Sequence, residues 1–125
     1  MKTPISTERA PKPGPYSQGI LAGNTLYVSA VGPVDPATGQ VVGSTIEKQA
    51  ARAIENVRAI VEAAGGTLDD VVKVTAYLSD LGDFQGFNEV YRGKFAQPYP
   101  ARSTFQVVLK QWLIALDAIA YLGPQ

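Results

Sequence analysis

The chain contains neither cysteine nor histidine. Their absence excludes disulfides, the common zinc sites, thiol nucleophiles and every catalytic triad that relies on imidazole. Any proton transfer must therefore use carboxylates, tyrosine, lysine, arginine or backbone groups. No other metal site is predicted either, because Asp69-Asp70 has no further ligand at a useful spacing.

The sequence also lacks an excess of charge and a long apolar run. Eleven basic residues match eleven acidic ones, and like charges never exceed two in a row. No basic patch of the kind that neutralises phosphates is present, so nucleic acid is not an expected partner. Residues 1–10 lack the apolar core of a signal peptide, and no apolar run is long enough to cross a bilayer. The sequence predicts a cytoplasmic protein without a membrane partner.

With 125 residues and 46% hydrophobic content, the chain is typical of a single domain spanning residues 1–125. Its first third predicts loops and short strands. Ala10–Pro15 is a stiff entry loop, because proline fixes φ and restrains its predecessor. Strands are predicted over Gln18–Leu21 and Thr25–Ala30, joined by a tight hairpin turn at Gly23-Asn24. Gly32–Val42 is predicted to be a second turn with short flanking strands.

Two amphipathic helices are predicted from apolar residues spaced three and four apart. The first runs from Thr45 to Ala64, with Ser44 or Thr45 able to cap its start and Gly65-Gly66 its end. The second spans Phe84–Phe95 after a capping Asp83.

Three further strands are predicted: Val71–Leu78, Arg102–Leu109 and Leu113–Leu122. The last is apolar on both alternating faces, so both faces should be buried. Two helices can cover only one face of a five- or six-stranded mixed sheet. Identical subunits are the simplest cover for the other face, with the chain's own loops as the alternative. The predicted class is therefore an α+β fold in a homo-oligomer.

Arg102 is a candidate for binding an anion. A guanidinium binds a carboxylate through two parallel charge-assisted hydrogen bonds that fix the anion's position and orientation. Strict alternation puts Thr104 and Gln106 on the same, more polar face of the strand. An ordinary solvated arginine is the alternative interpretation.

Four other polar side chains are candidates, each with a plain structural alternative. Tyr16 follows the proline segment, so its phenol could be held in place or could simply pack against the core. Ser29 and Asn88 could be hydrogen-bond donors in a site, or else a cap and a surface group. Asp117 is a carboxylate in an apolar strand, which is costly to bury unless it is paired or functional. An ion pair at a subunit interface is the alternative for Asp117.

Five segments together resemble the Rid (YjgF/RidA) family of reactive-intermediate imine deaminases. They are Gly14-Pro15-Tyr16-Ser17-Gln18, Ser29, Asn88-Glu89-Val90-Tyr91, Pro100-Ala101-Arg102-Ser103 and Asp117-Ala118-Ile119-Ala120. The resemblance keeps the same order and spacing over nearly the whole chain.

The resemblance implies a chorismate-mutase-like α+β fold and a homotrimer whose sheets form a barrel, with three clefts at subunit interfaces. It implies hydrolysis of small 2-imino or 2-enamino acids, of the 2-iminobutanoate or 2-iminopropanoate type, to 2-keto acids and ammonia without a cofactor. Arg102 would hold the substrate carboxylate, Tyr16 and Ser29 would line the pocket, and Asn88 would shape it. The protein would act mainly by positioning and electrostatics.

The sequence departs from the family pattern at several positions. Ala115 stands where active members typically carry a glutamate that orients the attacking water. Asp117 shares its strand face at roughly 6–7 Å. Ala30 stands where glycine usually follows the serine, and Thr104 where many members have cysteine. The Leu109–Leu113 turn is about two residues shorter than the resemblance implies. Ala30, Thr104 and Ala115 are therefore expected to line the substrate pocket in altered form.

Two functions remain open. In the first, a deaminase uses Arg102 to fix the carboxylate, while Asp117, Tyr16 or a backbone carbonyl activates water. In the second, a trimeric protein binds small carboxylates or keto acids without efficient turnover, as Ala115 indicates. A ribonuclease activity is disfavoured by the lack of histidine and of a basic patch.

Overall fold

The structure, a computed structural model, describes residues 1–124 as one mixed sheet with two α-helices. The strands are β1 (Lys2–Ile5), β2 (Gly19–Ala22), β3 (Thr25–Val31), β4 (Val71–Leu78), β5 (Ala101–Gln106) and β6 (Ile114–Tyr121), and the helices are α1 (Ile46–Ala63) and α2 (Phe84–Lys94). The strand order is β1-β2-β3-β6-β4-β5, and only β4 and β5 run parallel. The predicted combination of a five- to six-stranded mixed sheet with two helices is confirmed.

Local signals in the sequence account for most element boundaries. Gly23 turns the β2–β3 hairpin with a φ of 60°. Thr45 caps α1 by accepting a hydrogen bond from the Lys48 amide, and Gly65 follows its end with a φ of 95°. The expected cap of α2 was wrong in detail, because the Asp83 side chain makes no capping hydrogen bond.

The structure corrects three strand predictions. β1 was not predicted, because an exposed edge strand is stabilised by backbone pairing with β2 and carries no apolar alternation. β5 ends at Gln106 rather than Leu109, and Val108 beyond it is 98% exposed. β6 begins at Ile114 and ends at Tyr121, one residue inside each predicted bound.

The core lies between the helices and one face of the sheet. Alternate residues of the central strands, including Leu26, Val74 and Leu116, are almost fully buried there, together with Ile54 of α1 and Phe87 of α2. Burial of this apolar surface is the main favourable contribution to folding. No helix in residues 1–124 is long and apolar enough to span a membrane.

The opposite face of the sheet is open in a single chain. Tyr27, Phe105 and Tyr121 are each about half exposed, at 49%, 53% and 52%. Burial of both faces of the last strand is therefore not achieved within one chain, since Ile119 is also only partly buried. The chain's own loops leave the three aromatic rings exposed, so a cover by identical subunits stays a prediction.

A buried amide fastens the loop that follows β3 to α1. Asn56 has no exposed surface, and its Nδ2 donates to the carbonyl oxygens of Gly32 at 3.0 Å and Val34 at 2.9 Å. Its Oδ1 accepts from Arg52 Nη2 at 2.7 Å. The position of Gly32 and its neighbours is therefore set by a side chain from the core.

Replacement of Asn56 by alanine should lower the free energy of unfolding by about 2–3 kcal/mol, because the two loop carbonyls lose their donor and Arg52 its acceptor. Urea denaturation measures this change. The matched control is Gln85→Ala on the exposed side of α2, where a change within about 0.5 kcal/mol is expected. Equal stability of the two variants would show that Asn56 does not fasten the loop.

Candidate functional site

Three of the predicted site residues line one cavity, which we call the N-terminal cavity. It has a volume of about 360 Å³ and is lined by Pro13, Tyr16, Ser29, Ala30, Pro36 and Trp112, among others. The cavity lies where the proline segment passes the end of β3. Tyr16, Ser29 and Ala30 are therefore brought together, as the predicted site requires.

Backbone and side-chain hydrogen bonds hold this cavity in shape. Gln18 is 4% exposed, and its amide group donates to the carbonyl oxygens of Pro11 at 2.9 Å and Ala10 at 3.2 Å. The Ser29 amide donates a hydrogen bond to the Gln18 carbonyl at 2.9 Å, and the Ser29 hydroxyl donates one to the Ser17 carbonyl at 2.6 Å. The Ser29 oxygen thus remains an acceptor toward the cavity.

Trp112 forms a wall of the N-terminal cavity and was not predicted from the sequence. A Cβ atom added to Gly32 would lie 2.5 Å from the indole Cδ2, so the ring fills the space that a side chain at position 32 would take. The indole Nε1 is buried without a hydrogen-bond partner. The signal that could have found it is a lone tryptophan in a turn predicted to be short.

Arg102 and Asn88 lie together in a second place, the arginine cleft, which is also lined by Tyr91, Tyr99 and Pro100. Arg102 Nη2 donates to Asn88 Oδ1 at 2.7 Å. Arg102 belongs to β5 and Asn88 to α2. They can meet because Arg102 is in register with the core residue Val74 of β4 and therefore lies on the face of the sheet that the helices cover.

Three aromatic rings of α2 surround the guanidinium. The Arg102 Cζ lies 4.7 Å from the ring centre of Tyr91, 4.8 Å from that of Phe87 and 5.6 Å from that of Phe84. Each ring face attracts the cation. The guanidinium of Arg102 is therefore restrained by packing against aromatic rings and is not a freely solvated side chain.

No carboxylate pairs with Arg102 among the ion pairs of residues 1–124. Burial lowers the pKa of Arg102 from its usual value, an effect opposed by Tyr91. Burial also raises the pKa of Tyr91 to about 12, so its phenol stays protonated at neutral pH. The Tyr91 hydroxyl is buried without a partner. The cleft thus holds one partly buried positive charge whose remaining donors suit an anion.

The N-terminal cavity and the arginine cleft lie far apart within one chain. Ser29 lies at the end of β3 and Arg102 on β5, with β6 and β4 between these strands. Three strand spacings correspond to about 14 Å. A single copy therefore carries the parts of the predicted site at two distant places, and β5, which holds Arg102, is an edge strand of the sheet.

Asp117, Thr104 and Ala115 do not line the N-terminal cavity or the arginine cleft. Thr104 shares the helix-covered face of β5, in register with Ala76. Ala115 is 3% exposed and lies beside Tyr77 in register. Asp117 Oδ2 accepts a hydrogen bond from the Tyr77 hydroxyl at 2.7 Å. The carboxylate in the apolar strand is thus paired with a phenol rather than with a cation.

The Tyr77–Asp117 bond should be visible in a pH titration. The hydrogen bond, burial and the negative charge of Asp117 raise the pKa of Tyr77 from 10.0 to about 12. The stability due to this shift is present below pH 10 and lost as the pH rises toward 12. In Asp117→Asn, the pKa of Tyr77 should return toward its usual value, as read from the ultraviolet absorbance of tyrosinate.

The control for this titration is Tyr77→Phe, which should remove the same high-pH step. Tyr91 should keep its own step near pH 12 in both variants, since burial is the main cause of its shift. Superimposable titration curves for the wild type and Asp117→Asn would show that the bond does not set the pKa of Tyr77.

Comparison with known proteins places these features in a family. The family model described as endoribonuclease L-PSP matches residues 7–122. A RutC family protein of Saccharolobus solfataricus is 57% identical over 123 residues, covering 96% of this chain and 98% of the relative. A 2-iminobutanoate/2-iminopropanoate deaminase of Capra hircus is 41% identical over 123 residues, covering 96% and 90%.

A solved structure agrees with this sequence similarity. The crystal structure of RidA from an Antarctic Psychrobacter superimposes with a TM-score of 0.91 at 41% identity, covering 95% of this chain and 98% of that one. Both the resemblance in the sequence and the six-stranded sheet with two helices are thereby accounted for. The chain belongs to the Rid family of L-PSP-type proteins.

Proposed function

We propose that the chain is a deaminase that hydrolyses small 2-imino and 2-enamino acids to 2-keto acids and ammonia, in clefts between copies of a homotrimer. The observation that carries the proposal is Arg102, a partly buried guanidinium that is paired with no carboxylate within residues 1–124. The name of the Capra hircus relative supports the same reaction class.

Arg102 suits the carboxylate of such a substrate. Asn88 Oδ1 accepts from one Nη2 hydrogen, and the rings of Phe87 and Tyr91 restrain the guanidinium, so little conformational entropy is lost when an anion binds. The other donors of the planar group can form two parallel bonds to a carboxylate. The reacting carbon is then fixed at a known distance from the anchor.

A second copy is needed to complete the site. Tyr16 and Ser29 line one cavity, while Arg102 lies on the far edge strand, about three strand spacings away. The exposed rings of Tyr27 and Tyr121 on the open sheet face give identical copies an apolar surface to bury. Three copies with their open faces inward bring one copy's arginine cleft against another copy's N-terminal cavity.

The chemistry requires little beyond positioning. Water adds to the imine carbon, a proton passes to the nitrogen, the carbon–nitrogen bond breaks, and a keto acid and ammonia remain. The hydroxyl of Tyr16, a residue that is 56% exposed, and backbone carbonyls orient the water. Asp117 is not assigned this role, because it lines neither the N-terminal cavity nor the arginine cleft of a single copy and accepts a hydrogen bond from Tyr77. The Ser29 hydroxyl already donates to the Ser17 carbonyl, so its oxygen accepts a hydrogen bond from the N–H of the substrate.

Arg102→Ala should lower kcat/KM for 2-iminopropanoate by about a hundredfold or more, because the substrate carboxylate loses its charged partner. The kcat/KM of Arg102→Lys should lie between those of the wild type and Arg102→Ala, since lysine keeps the positive charge but cannot form two parallel hydrogen bonds to a carboxylate. The assay is release of 2-keto acid from freshly generated imine. Light scattering should show an unchanged assembly in both variants.

The matched control is Arg9→Ala, which removes a surface arginine paired with Glu62 and should leave the rate unchanged. If Arg102→Ala retains full activity, or if it dissociates or unfolds, the assignment of Arg102 to substrate binding is wrong.

A second candidate function is a trimeric binder of small carboxylates or keto acids. Ala115 favours it, because a methyl group occupies the position of the family's water-orienting glutamate. The two functions separate in the same assay. A wild type that leaves imine hydrolysis unaccelerated, yet binds pyruvate through Arg102, is a binder. Gain of activity in Ala115→Glu alone supports the same conclusion.

A further inference from the structure

We infer that Trp112 makes the site select imino acids with bulky apolar side chains, branched or aromatic, over those with a methyl group. The inference rests on the proposed function and concerns the substrate class of that same site. It is carried by the volume and lining of the N-terminal cavity and by the packing of the indole on Gly32.

The N-terminal cavity is larger than the smallest substrates require. Its volume of about 360 Å³ falls within the range of roughly 300–1,000 Å³ of sites for drug-sized ligands. An imine with a methyl side chain would leave most of it filled with water. The walls are mainly apolar, with Pro13, Pro36 and Trp112 among them. The polar lining residues are Tyr16, Ser29, Gln18, Lys12 and Asp35. The space adjoining the reacting groups therefore suits an apolar side chain.

The indole is fixed in its place from several sides. Its six-membered ring lies where a Cβ at Gly32 would be, with contacts of 2.5–2.6 Å to that added atom. Gly32 is itself fastened by the buried Asn56. The residue after Trp112 is also tied down, since the Leu113 amide donates to Gln49 Oε1 at 2.8 Å. Trp112 is thus a preformed flat wall rather than a mobile side chain.

A flat apolar wall discriminates among substrates by contact area. A leucine- or phenylalanine-derived side chain packs against the indole and leaves water, whereas a methyl group makes few of these contacts. The expected discrimination is between bulky and small apolar side chains, since Lys12 and the indole Nε1 could serve a polar side chain in the same cavity. We therefore expect kcat/KM to be higher for imines with bulky apolar side chains than for the imine with a methyl group.

The test compares 2-iminopropanoate with the imines derived from leucine and phenylalanine, each generated freshly. In Trp112→Ala, the ratio of kcat/KM for bulky over small substrates should fall about tenfold or more relative to the wild type. Trp112→Phe keeps an aromatic wall and should retain most of the ratio. A merely structural role would lower all three rates together and leave the ratio unchanged.

A second variant tests the wall without altering the indole. Gly32→Ala places a Cβ 2.5–2.6 Å from three atoms of the indole and must displace the ring, so the ratio should fall in the same direction as in Trp112→Ala. An unchanged or increased ratio in the folded variants overturns the inference while the proposed function stands. Failure of the wild type to accelerate any imine overturns the proposed function itself, and the inference with it.

Discussion

A positive charge that is held partly out of water, and that no carboxylate of residues 1–124 neutralises, is the constraint on which the proposed site depends. The Arg102 guanidinium loses hydration on entering the cleft, and burial accordingly lowers its pKa. The rings of Phe87 and Tyr91 and the Asn88 carbonyl oxygen offset part of that loss. No acidic side chain is paired with it in the described chain. The site therefore gains most from a ligand that supplies a carboxylate.

The order of the strands determines how the rest of the site is distributed. The parallel β5 adds to the edge of the sheet beside β4 and carries Arg102 there, while the hairpin of β2 and β3 brings Ser29 to the other side of β6. Gln18 and Asn56, both buried, fix the loops around the N-terminal cavity. In the proposed trimer, each copy would contribute its arginine cleft to one site and its N-terminal cavity to another, and burial of the open aromatic sheet face would favour association of the copies.

The sequence predicted those parts of the fold that local signals determine. Gly23, Thr45 and Gly65 mark the ends of elements because turns and caps depend on a few neighbouring residues. β1 escaped prediction because its partners are backbone groups of β2. The extent of β5 was overestimated because the β-branched Val107 and Val108 continue the pattern past Gln106. The Val107 amide still donates to the Leu78 carbonyl, whereas Val108 is almost fully exposed.

The candidate site was predictable in its residue types and not in its contacts. Phe84, Phe87 and Tyr91 are among the apolar residues, spaced three and four apart, that predict α2. That spacing could not show that their rings would also contact a guanidinium. The packing of Trp112 on Gly32 joins residues distant in the chain, and neither residue type alone indicates the pairing. Such through-space contacts arise only when the sheet has brought the loops together.

The measurement that most directly tests a site completed by two copies is complementation between defective subunits. One preparation carries Arg102→Ala, and the other carries Tyr16→Phe with Ser29→Ala. The two are unfolded together, refolded and assayed for 2-keto acid release. If the site is shared, the mixture should regain activity that neither preparation has alone, because some interfaces then combine an intact arginine cleft with an intact N-terminal cavity. A mixture as inactive as its parents, although mixed assemblies have formed, would contradict the account.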